Sequence, residues 1–291
     1  MKPPVFDYAA PVTLAEATGL LAQHEGDAKV LSGGQSLVPL LNMRLARPAI
    51  LVDLAKVPEL DYVRSDGDAL AIGAMTRQRT VELSPLVQAQ HPMLHAGLLL
   101  IAHPQNRNQG TVGGSLAHAD PAAELPALAL ALDASFRATG PRGERTLAAA
   151  DFFLTYLTTA LEPCEILTAV RFPTLPARTG WSILEVARRH GDFALAGVVA
   201  IVGLAPDGCC ASARLVLFGV GSTPIRAAGA EQVLMGQVAE PALVARASAQ
   251  AAADLEEPLT DVHATAAYRR DLARVLTARA LVEATTRARA A

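Results

Sequence analysis

An α+β fold is what this sequence predicts, from the order of its segments. Three strand-like stretches, Trp181 to Arg188, Ala194 to Leu204 and Ala213 to Val220, follow one another through short turns, which implies an antiparallel sheet. Alanine-rich helical stretches at 226–235, 241–253 and 265–288 then run to the end of the chain, so the sheet is backed by a helical layer. At 291 residues the chain is long for one core and falls near two domains.

The earlier part divides as follows. Thr13, with Glu16 three residues later, predicts a capping box that opens a short helix. Ala28 to Leu31 reads as a strand running into the glycine pair of Ser32 to Ser36 (SGGQS), and Leu37 to Leu45 as the helix leaving it. Ala49 to Leu54 predicts a buried strand ending near Asp53, a weak site candidate. Asp61 to Arg64 and Ala69 to Gly73 predict a hairpin around Ser65 to Asp68. Helical spacing from Thr76 to Ala102 is broken at Pro85 and Pro92, and His91, His95 and His103 along it are expected at the surface or at caps, without carboxylates at metal-ligand spacing.

His103 to Thr111 (HPQNRNQGT) reads as a loop into a second glycine pair, at Thr111 to Glu124 (TVGGSLAHADPAAE). Its one charge, Arg107, is either a cation that shapes the loop or balances a ligand, or an ordinary surface arginine. A compact helix from Leu125, short strands at Ala134 to Ala138 and Arg145 to Leu147, a short helix at Asp151 to Tyr156 and a strand at Ile166 to Phe172 follow. PTLPARTG, near 173–180, then marks the domain boundary.

The chemistry is expected at the two glycine loops. Glycine permits close approach of the backbone, and successive amides with neighbouring hydroxyls make an anion nest. Two such loops point to a ligand with two phosphates. SGGQS is not the GxGxxG of a dinucleotide-binding Rossmann unit. His118 and Asp120 are expected to hold the loop backbone rather than to bind metal or move protons.

Composition excludes several classes. A net charge of -3 without lysine or arginine runs offers no footprint for nucleic acid. Although 51% of residues are hydrophobic, no apolar run approaches the ~20 residues of a membrane span. The N-terminus has no secretory pattern, so a cytoplasmic location is expected. Cys164 and the adjacent Cys209 and Cys210 match neither a disulfide framework nor a zinc or iron–sulfur pattern, and the vicinal pair reads as small apolar filler.

Five stretches, FDYAAP, SGGQSLVPLLNMRL, HPQNRNQGTVGGSLAHADPAAELPA, EILTAVRFP and ARRHGDFALAG, stand in the order found in the FAD-binding medium subunits of molybdenum hydroxylases, the family of carbon monoxide dehydrogenase flavoproteins and the flavin domain of xanthine dehydrogenase. The chain resembles that family over essentially its whole length. The resemblance implies a PCMH-type FAD-binding domain at 1–175, in subdomains of about 1–56 and 57–175, followed at 178–291 by a smaller domain with a three-stranded antiparallel sheet and helices. It implies FAD as cofactor, with Ser32, Gly33, Gly34, Gln35 and Ser36, then Thr111, Val112, Gly113, Gly114 and Ser115, around the diphosphate. Lys29 and Leu31 would line the cofactor entrance, Glu124 would bond a ribityl or ribose hydroxyl, Leu167 would pack near the rings, and Phe193 would bring the second domain against the isoalloxazine unless it is a core phenylalanine.

Four positions depart from the family. Relatives often carry aspartate at Glu124, isoleucine or valine at Asn106, and alanine at Ser32, and some carry lysine close to Leu184. The implied function is electron transfer: a molybdopterin large subunit oxidises substrate, a [2Fe-2S] small subunit relays electrons, and this chain passes them to an external acceptor within a dimer of heterotrimers. No residue is assigned as a catalyst or metal ligand. The alternative is a stand-alone flavin-dependent reductase or oxidase of the same fold.

Overall fold

The computed structural model describes residues 1–291. The chain opens with β1 (Asp7–Ala9), α1 (Leu14–Gln23), β2 (Ala28–Leu31), α2 (Leu37–Asn42) and β3 (Ile50–Asp53). These strands form a parallel sheet in the order β1-β3-β2, and the two helices are the crossovers that parallel neighbours require. The Phe6 to Pro11 stretch, which carries no strand signal of its own, supplies the edge strand β1. The capping box forms: Thr13 Oγ1 accepts from the Glu16 amide, and the Glu16 carboxylate accepts from Val12, one residue before the cap. Helix α2 stops short of the predicted Leu45 because Arg44 turns left-handed at φ 60° and the Leu45 amide folds back to the Leu40 carbonyl.

A hairpin of β4 (Val63–Asp66) and β5 (Ala69–Gly73) leads into six short helices: α3 (Gln78–Leu83), α4 (Pro85–Gln90), α5 (Pro92–Leu100), α6 (Pro104–Gln109), α7 (Val112–His118) and α8 (Glu124–Ala131). Proline at the first position of α4, α5 and α6 fits a helix start, where its missing N–H is not needed. This is why the expected loop at 103–111 contains a helix. Next come β6 (Ser135–Gly140), β7 (Gly143–Ala148), α9 (Ala149–Phe152), β8 (Phe153–Thr155), β9 (Thr158–Thr159) and β10 (Ile166–Pro173). The predicted helix at Asp151 to Tyr156 ends at Phe152, since Phe153 stacks edge-on against both Phe136 and Phe152 and the threonines beyond it pair as a ribbon. The main sheet here is antiparallel, in the order β4-β5-β10-β6-β7.

The remainder comprises β11 (Thr179–Ala187), β12 (Ala194–Leu204), β13 (Cys210–Phe218), β14 (Ile225–Arg226), α10 (Ala228–Leu234), α11 (Pro241–Ala253) and α12 (Ala266–Ala290). The three long strands are antiparallel as expected, and the two-residue β14 extends them at one edge. Their sheet is covered on both faces. Val199 and Ile201 of β12 join the core that contains α5, α8 and the five-stranded sheet, whereas Val198, Ala200 and Val202 join the core under α10, α11 and α12. A strand buried on both sides reads as a continuous apolar run, and Ala194 to Leu204 does.

Inside the helical layer lies a buried ion pair. Arg107 Nε donates to Glu82 Oε2 at 2.7 Å, with both side chains near 5% exposed, and the same guanidinium donates to the Ile101 carbonyl at 2.6 Å. Burial alone would raise the Glu82 carboxyl, but its bonds to Arg107 and Arg79 hold it below the ordinary range. Arg107 is thus a loop-shaping cation, not a surface arginine: it ties α6 to α3 and to the turn before α6. Arg107→Met leaves Glu82 buried with only the half-exposed Arg79, and it should cost about 3 kcal/mol in chemical denaturation. Because the Glu82 carboxyl is depressed, the wild-type advantage should be present at neutral pH and should fade as pH falls below the ordinary carboxylate range.

Candidate functional site

The two glycine stretches, 79 residues apart at their nearest hydrogen bond, meet. Ser32 follows directly on β2 and Thr111 caps α7; their hydroxyls are 2.6 Å apart, and Ser32 Oγ also reaches Met75 Sδ at 3.0 Å. Gly33 makes the meeting possible. A Cβ on Gly33 would stand 2.4 Å from the Gln109 carbonyl oxygen and 2.8 Å from Gly110 Cα, both backbone atoms that cannot step aside. Two side-chain bonds extend the junction: Asn106 Nδ2 donates to Gln35 Oε1 at 3.3 Å, and Gln35 Nε2 donates to the Gly33 carbonyl at 3.3 Å.

The two stretches offer different groups. In the first, the amides of Ser32, Gly33, Gly34, Gln35 and Ser36 donate to no acceptor within the chain, and Gly34 is left-handed at φ +71°. That is an anion nest. In the second, the amides are committed: Val112 donates to Thr76, Gly113 to Ala74, Gly114 to Thr111 Oγ1 and Ser115 to the Thr111 carbonyl. The expectation of two amide nests is therefore corrected. Gly113 and Gly114 lie in the first turn of α7 rather than in a loop before a helix, Val112 is buried in the core, and the stretch exposes the half-buried Gly114 and the Ser115 hydroxyl. A Cβ on Gly114 would come 2.7 Å from Thr111 Oγ1 and 3.3 Å from Ser32 Oγ, into the hydroxyl pair itself.

The other sequence candidates divide. Lys29 and Leu31 share the face of β2 opposite Val30, which packs into the small N-terminal core; Lys29 is exposed, and the Leu31 side chain lies against Gly34. Leu167, on β10 beside a bulge, is buried in the main core. Phe193 is 58% exposed in the β11–β12 turn, which removes the core-phenylalanine alternative. In the same turn Gly191 is packed on the His103 ring, where a Cβ would come within 2.7 Å. Leu184 faces the opposite core, towards the C-terminal helices.

Glu124 begins α8 and is 4% exposed. Burial, followed by the charge of Glu185, pushes its carboxyl up to about 8; burial also pushes Glu185 up to about 7. Glu185 escaped the sequence reading. Its signal was a carboxylate in register with Trp181 and Ile183 on the inward face of a strand.

The polar residues set aside earlier behave as structural groups. Asp120 Oδ1 accepts from the Ala122 amide at 2.9 Å, and burial lowers the His118 pKa. Asp53 bonds the Tyr8 hydroxyl and caps the Ala55 amide. His103 and His91 stand at helix caps as expected, but His91 is buried rather than at the surface, and His95 bonds the Glu82 carbonyl. No helix is long and apolar enough to cross a membrane.

Residues 4–175 match the FAD binding domain in molybdopterin dehydrogenase, and residues 181–284 match the CO dehydrogenase flavoprotein C-terminal domain. The chain is 45% identical to the 6-hydroxypseudooxynicotine dehydrogenase complex subunit alpha of Paenarthrobacter nicotinovorans, over 79% of this chain and 78% of that one. It is 42% identical to the carbon monoxide dehydrogenase medium chain of Hydrogenophaga pseudoflava, over 79% of each. Among solved structures, carbon monoxide dehydrogenase from Hydrogenophaga pseudoflava superposes with a TM-score of 0.95 at 40% identity, covering 99% of both chains. Quinoline 2-oxidoreductase from Pseudomonas putida 86 superposes with a TM-score of 0.94 at 38% identity, again over 99% of both. The chain belongs to the FAD-binding medium subunits of molybdenum hydroxylases such as carbon monoxide dehydrogenase, and is the flavoprotein component of an oxidoreductase.

Proposed function

We propose that this chain is the electron-transfer subunit of a cytoplasmic molybdenum hydroxylase, taking electrons from a [2Fe-2S] small subunit and passing them to an external acceptor, while a molybdopterin large subunit oxidises the substrate. The whole would be a dimer of heterotrimers. The observation that carries this is the junction of the two glycine stretches, where five unbonded amides stand beside the hydroxyl pair of Ser32 and Thr111. That donor set suits a diphosphate. Three cysteines are too few for the four that a [2Fe-2S] cluster takes, so the cluster belongs to another chain on this reading.

The residues present fit FAD. Ser32, Gly33, Gly34, Gln35 and Ser36 would bind its diphosphate through their amides, and Thr111, Gly114 and Ser115 would close the other side with hydroxyls and bare backbone. Val112 and Gly113 would hold that second side in place, their amides being tied to Thr76 and Ala74. Lys29 and Leu31 would flank the entrance, Glu124 would meet a sugar or ribityl hydroxyl, Leu167 would back the rings, and Phe193 would cover them from the β11–β12 turn. FAD, when bound, supplies the exchange of electron pairs, while the protein supplies position and electrostatics. We place the division of the chain at 1–175 for the FAD unit, in parts 1–56 and 57–175, and at 178–291 for the C-terminal unit.

Two experiments test this. Purified from its native host, the chain should bring down a [2Fe-2S] protein and a molybdopterin protein, and the flavin of that complex should bleach on adding substrate; turnover of the same substrate by the isolated chain would sink the subunit assignment. Gly114→Val should abolish FAD retention, since its Cβ drives into the Ser32–Thr111 pair, while lowering stability by only about 1–3 kcal/mol. Full flavin content in that variant would exclude the assignment of this turn to the cofactor.

A further inference from the structure

We propose that Glu185 is a positioning residue of the FAD site, which shares a proton with Glu124 across the junction between β11 and α8. The inference rests on Glu124 lying at the cofactor. The geometry comes from Gly97 of α5, where a Cβ would stand 2.4 Å from Leu128 Cδ1 and 3.4 Å from Ile183 Cδ1. Leu128 of α8 and Ile183 of β11 therefore meet over this glycine. Glu124 precedes Leu128 by four residues and shares its helix face; Glu185 follows Ile183 by two and shares its strand face. Pro121, before α8, bonds Gly219 beside Phe218, whose level on the sheet is that of Gly197 and Glu185, whereas Asp133, after α8, pairs with Arg214 at the level of Ile201 and Trp181. Helix α8 thus runs antiparallel to β11, and with one helical turn, about 5.4 Å, nearly matching two strand residues, about 6.6 Å, the two carboxyls lie at the same level.

Neither carboxyl is in an ion pair. Glu124 is 4% exposed and accepts from its own backbone amide, and Glu185 Oε2 is buried without a partner. Of the charged groups that bear on Glu124, Asp120 raises its pKa further and Arg107 lowers it, but Arg107 is already committed to Glu82 and the Ile101 carbonyl. His118 on α7, its pKa lowered by burial, supplies no compensating cation. Two like charges in this setting disfavour each other's ionisation, and one proton stays with the pair near neutral pH. Both carboxyls are raised, to about 8 and about 7, so the folded state binds more protons than the unfolded one. Their contribution to stability is complete below the ordinary carboxylate range, declines as pH rises through these two values, and is flat above them.

The test uses the full chain with Glu185→Gln, and with Glu185→Asp as the conservative variant. FAD affinity is followed by flavin fluorescence, and the thermal midpoint of the FAD-free chain by circular dichroism, from roughly pH 6 to pH 9. Wild type should lose about tenfold in affinity across this range, with a falling midpoint, as the pair gives up its proton. Glu185→Gln should make both profiles shallower, leaving only the slope that burial gives Glu124, and should raise the midpoint at the alkaline end; Glu185→Asp should keep the slopes. Parallel slopes in wild type and Glu185→Gln would overturn the proposal. A shallower midpoint profile with an unchanged FAD profile would also overturn it, by showing a pair that acts on the fold and not on the cofactor. Failure of wild type to bind FAD at any pH would instead remove the placement of the cofactor beneath it.

Discussion

Two backbone stretches far apart in sequence come close enough to touch at Gly33, and the site depends on that contact. The hydroxyl pair of Ser32 and Thr111 marks the junction without being strong enough to hold it. A hydrogen bond of this kind contributes about 1 kcal/mol net, whereas closing a loop of this length already costs several kcal/mol of chain entropy. The holding is done behind the junction. Val112 and Leu116 are set in the main core, the Val112 and Gly113 amides are tied to Thr76 and Ala74, and Arg107 fixes α6 against α3. The hydroxyl pair sets the register of two surfaces that packing has already brought together, and a side chain at Gly33 would force them apart whatever the pair does.

The C-terminal sheet extends the same packing. With β12 buried on both faces, the sheet is the middle layer between α5 and α8 on one side and α10 to α12 on the other. The inward face of β11 is thereby pressed against α5, while the helix that starts at Glu124 lies beside it over β12 and β13. The β11–β12 turn, lying past the end of that seam, puts Gly191 on His103 and leaves Phe193 in the open. The strand and its turn so present a half-buried carboxyl at the level of the start of α8 and an exposed aromatic beyond the start of α6, and tie the geometry there to the docking of the C-terminal part.

The sequence made much of this legible where period and punctuation carried it. The long strands after residue 180, the helix breaks at Pro85 and Pro92, and the Thr13 cap are local signals, and the structure agrees with them. Local signals failed where tertiary contact decides the state. Phe153 leaves the helical pattern because Phe136 is there to receive it, and β1 exists only because β3 offers an edge. The glycine pairs were recognised by composition, but composition is the same for Gly34, which is left-handed in a nest, and for Gly113, which is helical and pressed on Ala74. Arg107 and Glu185 were obscured for the opposite reason: charged residues in a polar loop and near a strand end look solvated until the packing shows that they are enclosed.

The division of labour between the two stretches bears on how a diphosphate would be neutralised. Arg107 is bound to Glu82, and Arg77 donates to the Gln109 carbonyl, so neither guanidinium of this region is free to turn towards the nest. Lys29 makes no ion pair, but it is exposed, and an exposed cation contributes at most about 1 kcal/mol through water. The amides of Ser32 to Ser36 are at most half-exposed apart from Gln35, are fixed by the backbone, and need no reorganisation to meet an anion. On this site the larger share of the binding energy therefore falls to oriented peptide dipoles, and the side chains around them act chiefly to keep those dipoles aimed.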